Sequence, residues 1–123
     1  MKNRKPKILI VDDEKGFTKL TKLTMSDYEI CEENNSSRAL ETARKFQPDL
    51  ILLDVVMPDF DGGDIAAQIQ ADPALKQVPV VFLTAIVTEK ETEKRQLFGG
   101  YPFISKPITP EKLIENIRKY LPN

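Results

Sequence analysis

Three runs of strand length, Ile8–Val11 (ILIV), Leu50–Leu53 (LILL) and Val78–Leu83 (VPVVFL), are apolar almost without interruption, and a shorter one follows at Phe103–Ser105 (FIS). A strand with one wet face alternates apolar and polar residues. A strand written this way needs cover on both faces, which points to a parallel sheet inside helical layers. A weaker, alternating stretch, Tyr28–Glu33 (YEICEE), supplies a fifth strand. Helical spacing fills the gaps: Phe17, Leu20 and Thr24; Ala39, Leu40, Ala43 and Phe46; Ile65, Ala66 and Ile69. The last helix has Thr109 as N-cap, Pro110 in its first turn, an apolar face of Leu113, Ile114, Ile117 and Leu121, and Pro122 as a stop. Strand and helix alternate five times. The pattern predicts an α/β fold: a doubly wound, five-stranded parallel sheet with helices on both faces, in one domain over residues 1–123.

Composition narrows the chemistry. A net charge of −1 with no basic stripe argues against a nucleic-acid surface. No apolar run approaches membrane length, so a cytoplasmic location is expected. The chain has no histidine and one cysteine, Cys31, read as a small buried hydrophobe. Ser-His and Cys-His catalysis and zinc sites are thereby excluded. Carboxylate and lysine chemistry remains, with a hard, oxygen-preferring cation where a metal is involved.

One helical segment stands apart. Thr88 to Glu91 reads as a capping box, yet the stretch that follows is polar until Leu97 and Phe98, and Gly99-Gly100 ends it. So narrow an apolar stripe gains little from packing, which suits a helix able to shift.

The polar residues at the strand ends carry the functional signal. Asp12 and Asp13 follow the first strand, Asp54 the third, Thr84 the fourth, and Lys106, then Pro107, the fifth. All fall on the edge where open parallel sheets bind ligands. Three carboxylates supply oxygen ligands for Mg²⁺, whose charge relieves their repulsion. One of them can act as a nucleophile toward phosphorus, with an ammonium and a hydroxyl stabilising the charge that develops on the phosphoryl oxygens. Lys106 and Thr84 match those two roles.

The motifs ILIVDDE, DLILLDVVMPDFDG, VVFLTA and FISKPI, in that order, resemble the receiver domain of a bacterial two-component response regulator over essentially the whole chain. The resemblance implies the flavodoxin-like (βα)5 receiver fold, with Asp54 as phospho-acceptor. It implies Mg²⁺ held by Asp12, Asp13, Asp54 and the backbone carbonyl of Val56. Thr84 and Lys106 then contact the phosphoryl group, and Thr84 and Phe103 act as switch residues. Glu14 is read as solvated or helix-capping. The implied partners are a sensor histidine kinase or a histidine phosphotransfer protein on the input side. On the output side they are a downstream protein or a C-terminal output domain outside this chain. Output would run through the surface of the fourth helix, fifth strand and fifth helix, which also allows a homodimer. No direct nucleic-acid or membrane binding by this chain is implied, and catalysis is limited to its own phosphorylation and dephosphorylation.

Two other readings stay open. A Mg²⁺-dependent aspartyl-phosphate phosphatase shares the chemistry, but its acceptor motif, D-x-D, follows the first strand. A receiver-like scaffold that works without phosphorylation is the other. A flavin module is disfavoured, because DDEK after the first strand would repel a phosphate.

Overall fold

The computed structural model describes residues 5–12, 27–54, 56–57, 60–84, 102–105 and 109–121. Five strands form one parallel sheet: β1 (Lys7–Val11), β2 (Glu29–Glu33), β3 (Leu50–Asp54), β4 (Val80–Thr84) and β5 (Phe103–Ser105). Their spatial order is β2-β1-β3-β4-β5. The chain thus steps outward from β1 to β2 and then returns to build β3, β4 and β5 on the other side. The winding reverses between β1 and β3, and that crevice is where such sheets bind ligands.

Alternation along the strands divides the core into two layers. Leu9, Val11, Ile51, Leu53, Val80, Phe82 and Phe103 face one way, and meet Ala39 and Ala43 of helix α1 (Ala39–Phe46) and Ile65, Ala66 and Ile69 of helix α2 (Gly62–Ala71). Ile8, Ile10, Ile30, Leu50, Leu52, Val81, Leu83 and Ile104 face the other way, toward Leu113 and Ile117 of helix α3 (Pro110–Tyr120). Helices therefore cover both faces, as the unbroken apolar runs require. The helical spacing of Phe17, Leu20 and Thr24, the polar segment from Thr88 to Gly100 and Pro122 lie outside the described residues.

Local chemistry accounts for the boundaries. The Thr109 hydroxyl accepts the Lys112 N–H at 3.3 Å, and Pro110 occupies the first turn of α3. β4 starts two residues later than the apolar run suggests: Val78 donates back to Leu75 in a turn, and Pro79 has no N–H for the ladder. Asp54 and Thr84 are the last residues of their strands rather than the first residues after them. A two-residue antiparallel ladder, Val56–Met57 with Phe60–Asp61, separates β3 from α2 and was not anticipated. Cys31 is half-buried against the first core layer, not fully enclosed as expected.

Helix α1 ends on Gln47 in the left-handed region, φ 55°, with its N–H bonded to the Ala43 carbonyl at 2.9 Å. A side chain with a Cβ is disfavoured there, so Gln47→Gly is expected to stabilise the chain by about 0.5–1 kcal/mol in urea unfolding. An unchanged or lower midpoint would contradict this.

Arg44 of α1 reaches Asp72, just beyond α2, through a charge-assisted hydrogen bond from Nε. The same carboxylate accepts the Ala74 N–H at 2.9 Å. The Arg44 bond first, then the Ala74 N–H, holds the Asp72 carboxyl below its ordinary 3.8. A lowered folded-state value means the unfolded chain binds more protons, so this contribution is complete above about pH 5 and fades as the pH falls below 3.8 and through the lowered folded-state value. Arg44 is 58% exposed, and solvent screens the pair. Stability should fall more steeply between pH 5 and 3 in the wild type than in Asp72→Asn; parallel acid limbs would remove Asp72 from the account.

Candidate functional site

The sheet delivers the two acids to one place. Val11 of β1 lies in register with Leu53 of β3, so Asp12 and Asp54 follow side by side at the carboxyl edge, in the crevice where the winding reverses. Both are buried, Asp12 at 0% and Asp54 at 6% exposure. A soluble fold rarely buries aspartates unless they are paired or hold a metal, and neighbouring carboxylates add mutual repulsion. An all-oxygen pair in a crevice suits a hard divalent cation such as Mg²⁺. Among the described residues, no three acid, histidine or cysteine side chains gather as a metal-binding group. The third acid, Asp13, lies outside them, as do Glu14, Lys106 and Pro107.

The remaining predicted positions are placed by their backbone. Thr84 ends β4, the strand beside β3, and lies in register with Ser105 of β5. Asp54 lies in register with Leu83, so Asp12, Asp54 and Thr84 occupy one edge of three adjacent strands. Val56, two residues past Asp54, opens the short ladder opposite Asp61. Phe103 begins β5 in register with Phe82 and is buried at 9% exposure in the layer under α1 and α2.

The loop after β2 also belongs to this edge, and sequence reasoning passed it over. The Asp12 N–H donates to the Glu33 carbonyl at 3.1 Å, extending the β1–β2 ladder one step. Asn34 then donates from Nδ2 to the backbone carbonyl of Asp12 at 2.7 Å. The Glu33 carboxylate accepts from the Thr42 hydroxyl and from the Asn35 N–H, while Asn35 Oδ1 accepts from the Ser37 N–H and hydroxyl. The run ENNSS could have signalled a side-chain-stapled turn, since Asn and Ser bond their own backbone two residues on.

Comparison with known proteins decides the family. The model of the response regulator receiver domain matches residues 8–118. The chain belongs to this family. Among curated relatives, the receiver is 34% identical over 116 residues to the polar-differentiation response regulator DivK of Brucella anthropi, covering 93% of this chain and 94% of that protein. It is also 34% identical to the probable transcriptional regulator ycf27 of Pyropia yezoensis, and spans about half (49%) of that protein's length. Among solved structures, the Vibrio cholerae chemotaxis protein CheY4 superposes with a TM-score of 0.82 at 26% identity, over 96% of this chain and all of that one. The sheet order found here, with β1 between β2 and β3, is that of the CheY-like receiver fold. Receivers belong to two-component signalling; the family generally implies a phosphorylation-based switch rather than an enzyme, typically uses Mg²⁺, and implies a histidine kinase partner. Among the described residues, no helix is long and apolar enough to cross a membrane.

Proposed function

We propose that residues 1–123 form one receiver domain that works as a phosphorylation-controlled switch, with Asp54 as its acceptor. The observation that carries this reading is the pair of buried carboxylates, Asp12 and Asp54, side by side at the reversal point of the sheet. In the proposed step an Asp54 carboxylate oxygen attacks the phosphorus of a partner kinase's phosphohistidine, or of a histidine phosphotransfer protein. An O–P bond forms, the P–N bond breaks, and the electron pair leaves with the imidazole. Burial keeps bulk water from competing and strengthens each electrostatic contact at the edge.

Asp12, Asp13, Asp54 and the Val56 carbonyl would hold Mg²⁺, which when bound screens the phosphoryl charge from the acids. The Thr84 hydroxyl and Lys106 ammonium would receive the phosphoryl oxygens. Phe103, packed inside the sheet, would respond to movement of Thr84 and carry the change to the surface that includes β5 and α3. A downstream protein or an output domain would read that surface, and a homodimer could form through it. The alternatives predict different stoichiometry. Incubation with acetyl phosphate should add one phosphoryl group per chain, labile to alkali and hydroxylamine, in Mg²⁺ and none in EDTA. Continuous turnover of a small phosphate ester would favour a phosphatase, and absence of any label would favour a scaffold.

A further inference from the structure

We infer that Asn34 is a positioning residue for the metal cradle: its Nδ2 pins the backbone carbonyl of Asp12, whose N–H is already held by the Glu33 carbonyl, and so fixes the backbone that carries the Asp12 carboxylate. The inference rests on the reading of Asp12 and Asp13 as Mg²⁺ ligands. The carbonyl of Asp12 is one end of the bond to Asp13, so a hydrogen bond of 2.7 Å to it restricts rotation of the Asp12 backbone. That backbone carries the Asp12 carboxylate, so the restraint is passed to the first acid of the cradle.

Asn34 can do this because it is itself held. On one side Glu33 is fixed by its ladder bond to Asp12 and by its carboxylate bonds to Thr42 and Asn35. On the other side Asn35 caps the turn at Ser37, and its carbonyl accepts the Arg38 N–H at 3.0 Å. The β2–α1 loop is therefore a bracket, anchored in α1 through Thr42 and extended to the end of β1. The same bonds engage both Glu33 carboxylate oxygens, one with Thr42 of α1 and the other with the loop N–H of Asn35. Groups that orient metal ligands from outside the coordination sphere typically change affinity by about 10–100-fold when removed.

The test compares wild type, Asn34→Ala, Asn34→Asp and Asp12→Asn in the full chain by ¹⁵N NMR titration with MgCl₂. In metal-free protein, the Asp13 amide shares its peptide with the pinned carbonyl, so its resonance should move in Asn34→Ala. The Mg²⁺ Kd should rise about tenfold in Asn34→Ala. It should also rise in Asn34→Asp, although that variant adds a negative charge beside the cation. Tighter binding in Asn34→Asp, or an unchanged Kd in Asn34→Ala with wild-type binding intact, overturns the inference. An unmoved Asp13 amide overturns it as well, without any metal. Failure of wild type to bind Mg²⁺, or unchanged binding in Asp12→Asn, instead overturns the assignment of the cradle and takes the inference with it.

Discussion

Asp54→Asn is expected to lower acetyl-phosphate labelling by at least about a hundredfold, with the fold preserved. An amide oxygen has the shape of the carboxylate oxygen without its charge, and it cannot form a stable acyl phosphate. Size is conserved at a position 6% exposed, so far-ultraviolet circular dichroism should not change. Asp12→Asn serves as the contrast. It leaves the acceptor in place, and should lower labelling in a way that higher Mg²⁺ partly restores. Equal, Mg²⁺-insensitive loss in both variants would mean that the two acids do not divide the work as proposed.

The second large effect concerns the sheet that presents this edge. Leu52 is fully buried in β3, between Ile10 of β1 and Val81 of β4 in the register, and belongs to the layer facing α3. Leu52→Ala removes its transfer free energy and leaves a cavity in a closely packed layer, costing about 2–5 kcal/mol. Against a total of about 5–15 kcal/mol for a domain of this size, that is a large fraction. The thermal midpoint should fall by roughly 10 °C, and urea unfolding should show the same loss. A shift of only a degree or two would mean that β3 is not central to the sheet. Leu52 also lies two residues from Asp54, so the variant should lose Mg²⁺ affinity only as far as it loses folded protein.

Much of this architecture was legible in the chain because it depends on short-range patterns. ILIV and LILL announce strands buried on both faces, and the acids that follow them mark the edge. Thr109-Pro110 announces the start of α3. Errors arose where one residue outweighed the pattern: Pro79 cuts two residues from the run that becomes β4. The ladder at 56–61 has two-residue strands, too short for any periodicity to reveal. Other features depend on strand order. Asn34 meets Asp12 across 22 residues because β2 lies beside β1, and Arg44 meets Asp72 across 28 because the helix after β2 lies beside the one after β3. The acids that form the site were visible as residue types in the sequence; the loop that braces one of them became visible only when the sheet brought it there.

The most direct test of the account is chemical trapping of the phosphorylated residue. The chain is treated with acetyl phosphate and Mg²⁺, reduced with borohydride, digested and mapped by mass spectrometry. An acyl phosphate at Asp54 would be reduced to homoserine in the peptide that contains LILLDVVMP, with the Asp12-Asp13 peptide unchanged. Homoserine at position 12 or 13, or none at position 54 under conditions that phosphorylate the chain, would contradict the assignment of the acceptor.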